Sequence, residues 1–129
     1  MIEMDDLLNQ LVDLKLKYAP TGEDRTTIRD HFEYELNHRE IAVLMEKGKV
    51  LAFCDWSWVS GPEDMVRADR GEKTKGDILY IIHLISPEPG LIWELRSMLP
   101  MHRWIIGERE GKLCAPKGLP NEQTQEALA

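Results

Sequence analysis

The stretch ILYIIHLI at 78–85, continued by SPEPG at 86–90 and LIWELRSML at 91–99, decides the fold. The first segment is an apolar run rich in isoleucine, which is typical of a buried strand. The third segment repeats apolar residues at three- and four-residue spacing, which predicts a helix that Pro100 ends. The prolines and glycine between them predict a turn. A strand therefore leads through a turn into a helix.

HRWII at 102–106 predicts the next strand, so residues 78–106 form a strand–helix–strand unit. Two strands joined by a helix are parallel, and the connection is right-handed in nearly all proteins. GEREG at 107–111 then turns the chain, and a short last strand is predicted at 112–114.

Two β-rich segments precede this unit, IAVLM at 41–45 and VLAFCDWSWV at 50–59, and EKGK at 46–49 joins them. Gly48 supplies the positive φ that a tight hairpin turn requires, so the segments are predicted to pair antiparallel. Apolar residues occupy both alternating faces of the second segment, which indicates a central strand.

The first 40 residues predict two amphipathic helices, one over 4–18 and one from about 23 to 38. Thr21 or Asp24 is the expected N-cap of the second helix. The apolar stripe of each helix is narrow, so we expect each of them to cover one face of a sheet.

Residues 60–77 are polar and rich in glycine, and they predict a long mobile surface loop with one helical turn at 63–68. Two interpretations of this loop stay open. Its bases make it the most basic stretch of the chain, which suits a binding segment. Its interspersed acidic residues equally suit a solvent-exposed loop of mixed charge that binds nothing.

The predicted order α-α-β-β-β-α-β-β defines an α+β fold. A mixed sheet combines a hairpin meander with a β-α-β crossover, and the two N-terminal helices pack on it. We expect one domain over 1–116, with a helical part at 1–40, and a polar tail at 117–129.

Composition excludes several classes of protein. The 129 residues include 23 acidic and 16 basic ones, for a net charge of −7. Because sequence-independent binding to nucleic acid needs a basic surface, such binding is not expected. The longest apolar run, 78–86, is too short to cross a bilayer. An acidic N-terminus and two cysteines in apolar segments, Cys54 and Cys114, predict a cytoplasmic protein with reduced, buried thiols.

Several polar and aromatic residues carry open interpretations. Asp55 lies in an apolar strand, where it is either a buried carboxyl with a raised pKa or a residue at the exposed strand edge; the exposed edge is the expectation. Four tryptophans are expected in the core, with an acyl groove as the alternative. The histidines at 31, 38, 83 and 102 show no carboxylate or cysteine at ligand spacing, so no metal site is predicted.

Four positions of the hairpin's second strand and its continuation match one family pattern: Ala52, Cys54, Trp56 and Ser60. The strand that ends in the SPEPG turn, the helix that ends at Pro100 and the Gly-Lys pair at 111–112 extend the match. Over about residues 40–115 the chain resembles the GNAT acyltransferase superfamily. Its nearest likeness is to the branch of RTX-toxin-activating lysine acyltransferases.

This resemblance implies a GNAT-like sheet with a groove between strands 78–86 and 103–107 that holds an acyl thioester carrier, either acyl carrier protein or acyl-CoA. Ser86, Gly90 and Leu91 would lie beside the carrier. The chain lacks the Arg/Gln-x-x-Gly-x-Gly/Ala loop of the members that bind coenzyme A.

His83 is the candidate catalytic base. It stands where the branch has an aspartate, and an imidazole titrates near neutral pH and accepts a proton from an attacking amine. The branch's catalytic histidine would fall near Pro20, where there is none. The alternative is a structural His83 whose nitrogens are hydrogen-bonded in the sheet.

Two functions follow. The first is an acyltransferase-like protein that moves an acyl group from a thioester carrier to a lysine or another amine. The second is a catalytically inactive GNAT-like scaffold that binds a protein partner through its acidic helices at 1–40 or its loop at 60–77. A homodimer formed through the hairpin edge or the first helix is compatible with both.

Overall fold

The structure is a computed structural model, and it describes residues 2–102, 104–109 and 112–114. The predicted tail at 117–129 lies outside the described residues, as does the side chain of Cys114. The single domain expected over 1–116 stays a prediction.

The predicted order of helices and strands is confirmed, with one helix added. The elements are α1 (Met4–Tyr18), α2 (Arg25–His38), β1 (Ile41–Glu46), β2 (Lys49–Val59), α3 (Pro62–Asp69), β3 (Ile78–Ile85), a 3-10 turn (Pro89–Leu91), α4 (Ile92–Ser97), β4 (Trp104–Arg109) and β5 (Lys112–Cys114). Helix α3 occupies the segment for which one helical turn was predicted, and it is eight residues long.

The strands form a five-stranded sheet in the order β1-β2-β3-β4-β5. β1 and β2 are antiparallel, as are β4 and β5, whereas β3 and β4 are parallel. The register of β3 and β4 runs from Ile78 opposite Trp104 to Ile81 opposite Gly107. The predicted parallel crossover is therefore confirmed.

The hairpin between β1 and β2 turns at Lys47 and Gly48, whose φ angles are 51° and 76°. Positive φ at both central residues suits the right-handed twist of the flanking strands, as in a type I′ turn. The register then shifts, because Leu44 faces Ala52 but Met45 faces Val50. A β-bulge of this kind places two residues opposite one and changes which side chains share a face.

The chain divides into two compact units, and β2 passes from the first into the second. The first unit comprises residues 1–55 and 85–99. Its core joins α1, α2 and β2 through buried apolar side chains: Leu8, Leu11, Val12, Ile28, Phe32, Val50, Phe53 and Ile85. Both N-terminal helices thus bury their apolar stripe, as the spacing predicts.

Helix α2 begins where the sequence offers a good cap. The Asp24 side chain accepts a hydrogen bond of 2.8 Å from the backbone N–H of Thr27, which satisfies one free donor of the first turn. Of the two expected N-caps, Asp24 is the one used. Arg39 ends the helix in a left-handed conformation.

The second unit comprises residues 56–84 and 100–129. Its core joins β2, α3 and β3 through five buried side chains: Val59, Met65, Ala68, Tyr80 and Ile82. The Tyr80 hydroxyl donates to the Asp69 carboxylate at 2.7 Å, and the Thr74 hydroxyl donates to the carbonyl of Trp58 at 2.6 Å. The first bond joins two residues that flank the 70–77 segment, and the second attaches the middle of that segment to β2.

Gly76 lies against the end of β2. A Cβ atom on Gly76 would meet the carbonyl oxygen of Val59 at 1.9 Å and the backbone nitrogen of Ser60 at 2.5 Å. Both neighbours are backbone atoms, so no side chain can rotate away to make room. Only a residue without a side chain fits there.

The variant Gly76→Ala is therefore expected to unfold at a lower temperature, with a loss of stability of about 2 kcal/mol or more, as for other overpacked sites. Thermal unfolding followed by circular dichroism measures the change. Gly90→Ala is the matched control, because nothing lies within 4 Å of a Cβ atom at Gly90. Equal melting temperatures for the two variants would contradict the close approach.

Candidate functional site

Three titratable side chains meet between α2 and β2 in the first unit: His31, Glu35 and Asp55. Their meeting follows from two periodicities. His31 and Glu35 are four residues apart and therefore share one face of the helix. Asp55 follows Phe53 by two residues and therefore shares its face of the strand.

The packing of two aromatic rings fixes the helix over the strand at this point. Phe32 and Phe53 are both fully buried, and their rings meet edge to face with centroids 5.2 Å apart. This is a favourable geometry for aromatic pairs. Because Phe32 follows His31 and Phe53 lies two residues before Asp55, the contact brings the polar side chains together.

The three polar groups are close and well buried. The His31 Nε2 atom lies 3.5 Å from the Glu35 Oε2 atom, and one nitrogen or oxygen atom from each of the three residues lies within 4.8 Å of the others. Glu35 and Asp55 are 1% and 0% exposed, whereas the His31 side chain retains 12% of its exposure. Solvent therefore meets the cluster on the histidine side only.

Burying this cluster with both carboxyls ionised costs free energy, because two like charges lie side by side away from water. Burial raises the pKa of Glu35 well above its usual value, and the neighbouring carboxyl of Asp55 raises it further, with smaller contributions from Glu40 and Cys54. In the described part of the chain, neither oxygen of Glu35 receives a hydrogen bond from a donor. A proton shared by Glu35 and Asp55, or a cation beside them, reduces the free-energy cost of burying Glu35.

The structure corrects two sequence-based expectations here. Asp55 does not lie at an exposed strand edge, because α2 covers this face of β2 and buries the carboxyl completely. The expectation that none of the histidines has a carboxylate at ligand spacing is wrong for His31, which stands four residues before Glu35 on the same helix face. The HFEYE motif at 31–35, read with a helical period, is the signal that was available.

His83 lies on β3 in the second unit, and it is partly exposed. It lies two residues past Ile81, the last residue in the register with β4. Its assignment as a catalytic base stays a prediction.

Ser86, Gly90 and Leu91 all belong to the first unit, where Ser86 precedes the short 3-10 turn and Gly90 and Leu91 lie within it. The Ser86 hydroxyl donates to the carbonyl of Glu88, and the Leu91 N–H donates to the same carbonyl at 3.2 Å. Gly90 is exposed and has open space where a side chain would stand. Their role beside a carrier stays a prediction.

The described tryptophans and Cys54 differ in burial: Trp58 is half-buried, and the side chain of Trp104 lies outside the described residues. Trp56 is buried, as expected for a core residue, but Trp93 on α4 is 74% exposed, so the core interpretation is wrong for it. Cys54 is a free, buried thiol, and burial together with the Asp55 carboxylate raises its pKa. This confirms the buried Cys54 thiol that the sequence predicts.

Among the described residues, no helix combines the length and the apolar character that a membrane-spanning segment needs. Helix α1, with 15 residues, carries charged side chains at both of its ends.

Comparison with known proteins identifies a fold. No protein-family model matches the chain, and no curated protein matches it. A solved structure does: the GNAT-like decarboxylase GphF in complex with isobutyryl-CoA, with a TM-score of 0.56 and 18% identity. The match covers 81% of this chain and 62% of that chain, so this chain spans less than two thirds of the length of its neighbour. The α+β fold is therefore GNAT-like, as the sequence predicts.

The buried carboxyl pair yields a prediction about stability in metal-free buffer. A carboxyl whose pKa is higher in the folded protein than its unfolded value of 4.5 binds more protons when folded, so stability falls as the pH rises above 4.5. Glu35→Gln keeps the shape and removes this titration. The variant is expected to melt at a higher temperature than the wild type at pH 7, with a smaller difference at pH 4.

Glu33→Gln is the matched control, because Glu33 lies on the same helix but is exposed. Its melting temperature should stay within about 2 °C of the wild type, as for most surface substitutions. A lower melting temperature for Glu35→Gln at pH 7 would show that the ionised carboxylate is stabilising, which contradicts the prediction.

Proposed function

We propose that the chain binds an acyl thioester of coenzyme A or of acyl carrier protein and transfers the acyl group to an amine, such as a lysine side chain. The observation that carries the proposal is the GNAT-like fold, whose solved neighbour holds isobutyryl-CoA. The proposal takes that ligand class from the neighbour and the candidate residues from this sequence.

The parallel strands support this proposal. Their register ends with Ile81 opposite Gly107, while β3 continues to Ile85 and β4 to Arg109. The proposal places an extended chain such as a pantetheine arm along the part of β3 that lies beyond this register. His83 lies on this continued part of β3.

The segment after β3 favours a carrier protein over free coenzyme A. Pro87 and Pro89 have no N–H to offer to a pyrophosphate, and Glu88 is an exposed acid. The phosphopantetheine arm of acyl carrier protein carries one phosphodiester instead of a pyrophosphate, so it needs fewer donors here. Ser86, Gly90 and Leu91 are the residues that the proposal places beside the arm.

In the proposed reaction the amine nitrogen attacks the thioester carbonyl carbon, and the His83 imidazole takes the proton that the nitrogen loses. The tetrahedral intermediate then collapses, the carbon–sulfur bond breaks, and the thiolate leaves. The imidazolium returns its proton to the thiolate. The products are an amide and a free thiol, and His83 ends in its starting state.

The first experiment titrates the protein with acetyl-CoA, a long-chain acyl-CoA and acyl-acyl carrier protein while tryptophan fluorescence and melting temperature are recorded. Saturable binding is expected, with the carrier protein binding at least about tenfold more tightly than its matched acyl-CoA, a difference of about 1.4 kcal/mol. Equal affinities would contradict the preference, and no binding by any donor would overturn the proposed function.

His83→Ala is expected to lower the rate of acyl transfer by about 100-fold or more, which is the usual contribution of a general base, without lowering the affinity for the donor. His102→Ala is the matched control, because His102 lies in the same unit and is exposed. If His83→Ala instead lowers the melting temperature and leaves transfer intact, His83 is structural.

A partner-binding protein without catalysis is the second candidate function, and Trp93 is the observation that favours it. Trp93 is 74% exposed on α4, and Met98 just past the end of that helix is 45% exposed. The Arg96 guanidinium lies 5.8 Å from the centre of the Trp93 ring. Exposed tryptophan and arginine are the residue types most enriched at the centres of protein interfaces.

Under this second function, Trp93→Ser weakens the association with a copurified protein partner, or of the chain with itself, by at least about 30-fold, since an interface tryptophan contributes about 2 kcal/mol or more. Sedimentation velocity measures the change. Charge reversal at Arg67 and Arg70 is the parallel variant for the 60–77 segment. Unchanged association in both variants would remove both surfaces from consideration.

A further inference from the structure

We propose that His31, Glu35 and Asp55 form a binding site for one divalent transition-metal ion, with zinc as the expected metal. The proposal is independent of acyl transfer, since its residues are not those assigned to the thioester. It rests on the convergence of one imidazole nitrogen and two carboxyl groups between α2 and β2 in the first unit.

The three donors are of the type that zinc takes in proteins. Zinc binds histidine nitrogen and carboxylate oxygen at about 2.0–2.2 Å, and three protein ligands of this kind leave a fourth position open. Imidazole also selects against magnesium and calcium, which take oxygen ligands. The His31 ring, as the one partly exposed ligand, provides the side from which an ion or a water molecule enters.

The distances suit a site of this size. Ligand atoms around a tetrahedral zinc ion are about 3.4 Å apart, given metal–ligand bonds of about 2.1 Å. The separation of His31 Nε2 and Glu35 Oε2 is 3.5 Å, and all three ligand atoms lie within 4.8 Å of one another.

An independent observation, the environment of the Glu35 oxygens, also favours a cation at this place. Glu35 is 99% removed from solvent, its Oε2 atom is directed toward His31, and neither of its oxygens receives a hydrogen bond from the described residues. Buried carboxylate oxygens are nearly always paired. A divalent ion would give these oxygens a strong partner beside the His31 Nε2 atom, which lies 3.5 Å from Oε2.

The charge balance favours a divalent ion over histidine alone. A protonated His31 adds one positive charge against the two carboxylates, and Glu40 adds a further negative charge to the surroundings of Glu35. A divalent ion adds two positive charges beside Glu35 and Asp55, where the Arg96 guanidinium also acts on the neighbouring Cys54. The competing arrangement is one proton shared by Glu35 and Asp55, and the experiment below separates the two.

The test uses untagged, chelator-treated full-length protein titrated with zinc chloride by calorimetry and with cobalt chloride by visible absorption. We expect one zinc per chain with a dissociation constant of about 1 µM or lower. We also expect a higher melting temperature in excess zinc and cobalt bands of a four- or five-coordinate site. A wild type that binds no zinc at about 100 µM overturns the proposal and assigns the cluster to a shared proton.

Glu35→Gln and His31→Ala should each weaken zinc binding by at least about 100-fold. Replacing a residue that only hydrogen-bonds to a metal ligand already lowers metal affinity about 10–100-fold, and these variants remove or weaken a ligand itself. Glu33→Gln and His38→Ala are the matched controls on the same helix, and both replace exposed residues. Circular dichroism verifies that each variant is folded. Zinc that binds Glu35→Gln as tightly as the wild type lies elsewhere on the chain and overturns the proposal.

Because the cluster shares no residue with the proposed thioester site, the two proposals fail separately. Loss of zinc from Glu35→Gln with unchanged donor binding supports the metal site and leaves the proposed function as it stands. Absence of donor binding in a protein that binds zinc overturns the function and not the metal site.

Discussion

Two carboxyl groups buried side by side are the constraint on which the first unit depends. Glu35 and Asp55 lose nearly all contact with water when α2 covers β2, and this desolvation opposes folding unless their charges are neutralised. The Phe32–Phe53 contact works in the opposite direction, because it buries two aromatic rings where helix and strand meet. Apolar packing therefore holds α2 against β2. The proton or ion that neutralises the carboxyls determines how much their burial lowers the stability of this packing.

Local patterns predicted most of the fold because the forces that decide it are local. Helical spacing located α1 and α2, a glycine with positive φ located the hairpin, and the short connection from 86 to 103 required a parallel crossover. The burial of Asp55 could not be predicted in this way. It depends on a helix 20 residues upstream, and a strand pattern alone does not say which of its faces is covered. The bulge opposite Met45 could not be predicted either, because strict alternation places Val50 and Phe53 on opposite faces, whereas both lie in the same core.

The candidate sites differ in how they could be found. His83, Ser86, Gly90 and Leu91 came from the order of elements and a resemblance, and their chemistry stays a proposal. The cluster at His31, Glu35 and Asp55 came from the geometry alone. Its sequence signal was a histidine and a glutamate four residues apart on a helix, a spacing that is common on solvated helix faces. Only Asp55, which β2 brings beside the helix, turns this spacing into a candidate ligand set.

The buried cluster of His31, Glu35 and Asp55 differs from His83 in its exposure to solvent, and this difference bears on their proposed roles. A buried carboxyl with a raised pKa is a good general base in principle, but Glu35 is 1% exposed and no substrate amine reaches it while α2 covers β2. His83 is partly exposed on a strand that continues beyond its registered partner. Of the two sets, His83 is the one open to an incoming substrate, so the proposed transfer is assigned to it, and the buried cluster under α2 is assigned to the stability of the fold. A zinc ion there would act by joining helix to strand, with its one accessible side at His31.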